Sequence, residues 1–241
     1  MKLLLPLALL VVTAGCQSSS HRSTRLSVDD DALVNVPVSD RDDITRARTE
    51  CTEVKDRMNV AERDVQNAKD RVSLAKQSAA IAHDELDAAD DRVKLANSMN
   101  QDARGPAMKT ADENREAVRA HGRWADAQVA YHEHVVDSMK ARVELESLRE
   151  ELANAKVELA KAKAVNSLDR SDMDEYDVGA FESVVATKQM NVEMAEVDAE
   201  AWQKKIKLCR DALDSQAKTV PASYRDSWRK VEDVEVKRDM K

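Results

Sequence analysis

Aromatic residues make up only 3 % of this 241-residue chain, which holds four glycines and four prolines. A conventional α/β core needs strands, tight turns and bulky apolar side chains, so this composition excludes one. Few helix breakers and 35 % charged residues suit long helices rich in Ala, Glu, Lys and Arg. Runs of basic residues are also missing. The formal net charge is −8, and loss of Lys2 with the N-terminal leader takes it to −9. Phosphate binding wants a basic patch, so nucleic acid is not an expected partner. No glycine-rich phosphate loop and no nucleophile elbow occurs. Beyond the leader, no apolar run is long enough to span a membrane.

What is present is a heptad pattern. Ile44, Cys51, Met58, Val65, Val72, Ala79, Leu86 and Val93 recur every seven residues. Ala47, Val54, Ala61, Ala68, Ala75, Ala82, Ala89 and Ala96 do the same, offset by three. Eight consecutive heptads without a charge at either position predict a coiled-coil helix about 85 Å long. Seven of the eight second-position residues are alanine, which lets two helix axes approach closely. Gly105-Pro106 is expected to break this helix. A second helix should follow to about Val165. Its seam reads Ala117, Ala120, Trp124, Ala127, Tyr131, His134, Ser138, Ala141, Leu145, Leu148, Leu152, Ala155, Leu159 and Ala162. Folding at residue 105 would pair this seam with the first, placing Leu159 level with Cys51 and Tyr131 level with Ala79.

Aspartates, serines and Gly179 interrupt the pattern between residues 167 and 179. A third helix is predicted from about Phe181 to Ala217, with Val185, Val192, Trp202, Ile206, Cys209 and Leu213 on its seam. Pro221 then opens a short segment with Tyr224, Trp228 and Val231 on one face. These two rings are expected to cap the bundle, with a partner contact as the alternative. The charged end from Glu232 to Lys241 should fray. The expected fold is all-α: a long, elongated antiparallel coiled-coil hairpin with a third helix folded back on it. The body spans 41–217, followed by the short helix and charged tail of 218–241.

The leader determines the expected location. Met1 to Cys16 reads MKLLLPLALLVVTAGC, with one lysine and then ten residues of nearly unbroken apolar sequence from Leu3 to Val12. A membrane-spanning helix needs about twenty, so this is a signal-peptide core. Its ending, Thr13-Ala14-Gly15-Cys16, resembles the lipobox of bacterial lipoproteins. Thr13 departs from the pattern, in which leucine is commonest there. The resemblance implies that residues 1–15 are removed, and that Cys16 carries a diacylglycerol on its thiol and an acyl chain on its amine. More than one acyl chain gives stable anchoring, at roughly 0.8 kcal/mol per buried methylene. Gln17 stands where an aspartate would resemble an inner-membrane retention signal. The implied location is therefore the outer membrane, on its periplasmic side. Residues 16–40, rich in serine and aspartate, are expected to be a lipidated flexible linker. Leu33 to Val38 is read as part of it, with a strand on a partner as the alternative.

Candidate chemistry is sparse. His132-Glu133-His134 is the densest group of metal-type ligands, yet residues two apart on a helix point about 200° apart. Zinc sites on one helix use i, i+4 spacing, so no metal is expected; His134 should sit on the seam and His132 in solvent. Asp29 to Asp31, Glu150-Glu151 and the acidic residues from Asp172 to Asp177 are expected to be solvated or in turns, because paired catalytic carboxylates need a cleft. No catalytic residue and no cofactor other than the lipid on Cys16 is expected. Cys51 and Cys209 share a compartment that permits disulfides. The breakers place them about 30 Å apart along the axis, so they are expected to be unbonded, buried seam residues. Lys241 is a candidate for attachment to peptidoglycan, since the layout resembles murein lipoprotein, a shorter trimeric coiled coil with a terminal lysine. The function expected is a non-enzymatic envelope spacer or scaffold, with outer-membrane lipid, peptidoglycan or an envelope protein complex as partner and with oligomerisation open. The alternatives are a peptidoglycan tether through Lys241 and an accessory coiled-coil subunit of an efflux or secretion assembly. Adaptors of such pumps carry strand-rich domains that this chain lacks.

Overall fold

The heptads of the first helix form one uninterrupted element. Residues 26–168 and 176–225 are described by a computed structural model, in which the expected all-α fold is present. Helix α1 runs Asp42–Asn97, α2 Gln101–Asn166 and α3 Val178–Ala217. At 1.5 Å per residue these span about 85, 100 and 60 Å. All eight second-position residues of the α1 heptads are buried, while the first-position residues are buried or half-buried.

The hairpin turn does not fall where the breakers are. α1 ends at Asn97, and Ser98 to Asn100 make the turn. The Ser98 amide and hydroxyl both donate to the Leu95 carbonyl. Asn100 is extended, and its carbonyl accepts from the amides of Ala103 and Arg104. Arg104 reaches back to Asn97 Oδ1 at 2.8 Å. Gly105 and Pro106 lie inside α2, correcting the expected break. Pro106 is its sixth residue, so the bond it cannot make leaves only the Asp102 carbonyl of the exposed first turn without a partner amide, where water can serve it.

The pairing register moves with the turn. The Cys51 thiol donates to Asn154 Oδ1 at 3.1 Å, five residues from the expected Leu159. Arg142 pairs with Asp64 and Lys156 with Glu50 in the same register. Ala79 and Ala82 pack on Ala125 and Val129, so Tyr131 is not level with Ala79 in the α1 seam. The offset from the expected pairing is about one helical turn.

A larger correction concerns which partner the α2 seam meets. Leu145, Leu148 and Leu152 pack on Val185, Val192 and Ala195 of α3. Ala120 and Trp124 pack with Leu213, Ala217 and Val220. The seam read from the sequence therefore faces α3. A second stripe faces α1: Ala125, Val129, Ala153 and Val157, with Glu146 among them. At 100° per residue the two stripes are about 150° apart around α2. The three helices thus lie side by side in a layer, with α2 in the middle.

One ion-pair chain crosses the whole layer. Glu146, only 4 % exposed, accepts from Arg57 of α1 at 3.2 Å and from Arg149 at 2.7 Å. Arg149 also donates to Glu196 of α3 at 2.7 Å. The hydrogen bond to Glu196 is the main cause holding its guanidinium above the ordinary value, against the opposing effect of burial. Such a buried pair contributes more to register than to net stability, because desolvation offsets its attraction.

The fold-back from α2 to α3 is closed by one amide side chain. Asn166 Nδ2 donates to the Tyr176 carbonyl at 2.6 Å, and Asn166 Oδ1 accepts from the Tyr176 amide at 3.0 Å. Asp177 caps α3 by accepting from the Ala180 amide. Cys51 and Cys209 are both free, as expected, but Cys209 is half-buried rather than buried.

Ala75 is fully buried, whereas Lys76 is exposed and paired with Glu133 across the hairpin. Ala75→Leu should overpack the α1–α2 seam at a cost of about 1–3 kcal/mol. Lys76→Leu should cost less than about 1 kcal/mol. Thermal melts of the two variants compared with the parent test this; equal melting temperatures would contradict the seam.

Candidate functional site

Cys16 and Lys241, the two residues to which chemistry is assigned from the sequence, lie outside the described residues, as do Trp228, Val231 and Asp172. The structure instead describes the segment through which Cys16 joins the body. Residues 26–40, expected to be linker, are packed at the base of the bundle, the end away from the hairpin turn. Asp30–Asn35 and Val38–Arg41 form two 3-10 turns, so Leu33 to Val38 is not a strand. Val28, Leu33 and Val36 are buried against Ile44, Ala162, Val165 and Phe181. The sequence signal misleads here: Val34, Val36 and Val38 alternate as in a strand, whereas the buried residues are Val28, Leu33 and Val36, spaced by five and three.

Polar contacts fasten this base. The Val28 amide donates to Glu158 Oε2 at 2.7 Å. Lys161, buried at 8 % exposure, sits between Asp30 at 2.8 Å and Glu158 at 2.9 Å. Burial is the largest single influence on the Lys161 ammonium and pushes its pKa down. The hydrogen bonds and charges of Asp30 and Glu158 together outweigh it, leaving the pKa above its ordinary value. The same hydrogen bond holds the Asp30 carboxyl below the ordinary carboxylate range. Arg41 ties the two 3-10 turns together by donating to the carbonyls of Leu33 and Val36 at 2.8 and 2.9 Å. The Asp30 contribution is present above its unfolded pKa of about 4 and fades as pH falls through the lower folded value. The Lys161 contribution is present below about 10.4 and is lost as pH rises through the higher folded value. The clasp is therefore closed across the physiological range.

The remaining candidates from the sequence are dispersed. His132 and His134 point to opposite neighbours, as their spacing requires. The His134 ring lies 6.4 Å from Trp202 of α3. His132, expected in solvent, is half-buried on the α1 side. Burial, and then the Arg71 charge, hold its imidazole below the ordinary value. His83 and His121, on different helices, contact Asp126 and Glu85 at 3.0 and 3.2 Å. His121 also stacks on Tyr224 with centroids 4.5 Å apart, which places Tyr224 as a cap on the α2 surface. Among the described residues, no three His, Cys, Asp or Glu side chains converge as a metal-holding group. Glu150 and Glu151 pair with Lys55 and Lys188, across α1 and α3 respectively. An open groove of about 530 Å³ lies near the hairpin turn, lined by Leu95, Met99, Pro106 and Ala107 among others. No helix among the described residues is long and apolar enough to cross a membrane.

Lys161→Met should leave Glu158 without its cation and Asp30 with only the exposed, longer contact to Arg48 at 3.6 Å. We expect a loss of about 1–3 kcal/mol in thermal unfolding and faster tryptic cleavage at Arg41. His132 tests the seam by pH. Its folded pKa lies below the unfolded value of about 6.5, so the unfolded chain protonates first and stability is lost as pH falls through this range. The melting temperature should drop between about pH 8 and pH 5, and drop less in His132→Gln.

No protein-family model matches the chain, and neither a characterised protein nor a solved structure matches it at a significant level.

Proposed function

We propose that this protein is a lipid-anchored helical spacer of the bacterial outer membrane, held at its base and extending into the periplasm. The observation that carries this reading is the Met1–Cys16 leader followed closely by a packed base. Nine residues separate Cys16 from Leu26, where the described segment begins. Fully extended, that stretch reaches at most about 35 Å. Had all of 17–40 been free, the reach would have been more than twice as great. A lipid on Cys16 would therefore hold the base close to the bilayer, with the hairpin turn about 100 Å away along α2. The body has the character of a strut, since two long apolar seams join its helices and charged residues pair across them. Its activity in this reading is to hold or span, without catalysis.

One observation favours attachment to peptidoglycan as a second reading. α3 runs away from the base, and Tyr224 stacks on His121, 45 residues before the end of α2. The chain beyond Arg225 therefore departs about 65 Å from the base. A chain that leaves the body away from the base can carry Lys241 to a layer beyond the anchor at Cys16, which is what a tether between two layers requires.

Fractionation of the envelope tests both readings. Cys16→Ser should abolish lipid labelling and release the protein from the outer membrane. Retention of both would refute the anchored spacer. Deletion of Lys241 should remove any protein that stays with peptidoglycan after boiling in detergent, while leaving lipid labelling intact. Absence of such bound protein in the parent strain would eliminate the tether and leave the spacer standing.

A further inference from the structure

The layer has an outer edge whose side chains have no counterpart among the described residues. On α3, Met190, Met194, Val197, Ala201 and Leu208 are exposed, the four larger ones at 62 to 70 %. They recur at alternating spacings of four and three, with Lys204 filling the one remaining step. That is the heptad spacing of a coiled-coil seam. The stripe lies about 150° around the helix from the seam that meets α2, and runs about 27 Å. α3 thus carries two seams, as α2 does, but only one is occupied among the described residues.

The charges beside the stripe indicate what fits there. Asp198 and Glu200 flank it on its two sides, and Lys205 and Lys207 flank it one heptad further on. All four are exposed. Glu182, Lys188 and Glu196, on the inner side of the same helix, pair with Lys163, Glu151 and Arg149 of α2. The outer four make no ion pair among the described residues; Lys205 rests over the Trp202 ring at 4.5 Å. A parallel, in-register copy of α3 would bring Glu200 to Lys205 but also Glu193 to Asp198, so attraction and repulsion cancel. An antiparallel copy related by a two-fold axis would bring Asp198 to Lys205 and Glu200 to Lys207, each pair twice. The same register sets Val197 against Leu208, with Ala201 facing the Lys204 stem near the axis.

We propose that α3 is a self-recognition surface, through which two copies of the chain associate antiparallel, edge to edge. The contact is isologous, so it closes at a dimer. Two three-helix layers then become one six-helix layer, whose contact ends where Met194 and Met190 come level with Asp211 and Ser215 of the other copy. The pairing is specified by charge order along a single helix, which discriminates orientation more strongly than it raises affinity.

A charge-swap experiment on the full-length chain in mild detergent tests this. Two variants are made with different affinity tags: Lys205→Glu with Lys207→Glu, and Asp198→Lys with Glu200→Lys. The parent chain should co-purify with a differently tagged parent and scatter light as a dimer. Each variant should associate with itself at least about tenfold more weakly, because its rim carries one sign only. The two variants mixed should recover pairing, which also shows that both are folded. Leu208→Glu should prevent association in every combination. A parent that is monomeric, including one whose stripe is taken up by lipid vesicles, would overturn the proposal. So would variants that self-associate as the parent does, or a mixed pair that stays apart.

Discussion

The position of α2 between two helices is the constraint on which the rest depends. It must present an apolar stripe to α1 and another to α3, and these stripes are about 150° apart. That leaves little of its circumference for solvent. Val118, Ala125, Val136 and Ala153 are accordingly buried alongside Trp124, Leu145 and Leu152. The outer helices have no such demand. Each buries one stripe and leaves the opposite side exposed, as Ile81 on α1 and Leu208 on α3 illustrate. A closed triangular bundle would bury a common core; a layer has two separate seams and no centre.

The two seams are built differently for a physical reason. The α1–α2 contact rests on alanine in α1, whose burial contributes little apolar area per residue. Its extent compensates, since it continues from Ile44 to Ala96, and cross-helix pairs such as Lys156–Glu50 and Arg142–Asp64 line its rim. Exposed pairs of this kind are worth at most about 1 kcal/mol each. Their use is to disfavour other registers, because a repeating alanine seam would fit almost equally well after a shift of seven residues. Glu146 serves the same end from inside, joined to Arg57 on one side and through Arg149 to Glu196 on the other. The α2–α3 seam has leucines and a tryptophan of distinct shape, so packing itself sets its register.

The base and the turn end of the hairpin differ in kind. At the base, the segment 26–41 wraps over the start of α1 and the end of α2, and a buried lysine joins two carboxylates across the junction. At the opposite end the turn is short and polar, and the neighbouring groove is open. The packed end is the one that the N-terminal segment enters, which accords with the proposed anchor on that side.

Fold class, helix number and the α1 seam were legible from composition and period alone. A coiled coil is local in sequence: each heptad repeats the same requirement, and eight repeats specify the seam from Ile44 to Ala96. The C-terminal end of α3 at Ala217 was legible because Pro221 follows it, whereas its start at Val178 lies three residues before the expected Phe181, with Gly179 inside the helix under the Asp177 cap. Three features were decided only in three dimensions. Gly105 and Pro106 sit inside a helix because a proline early in a helix loses one hydrogen bond at a wet end, an energy that tertiary packing easily overrides. The α2 seam turned to α3 because periodicity shows that a stripe is apolar without showing which neighbour covers it. Residues 26–40 packed because Val28, Leu33 and Val36 found a surface made by Ile44, Val165 and Phe181, which are adjacent only after two reversals of the chain. A lysine at position 161 reads as one more helix-surface charge until the fold sets Asp30 beside it.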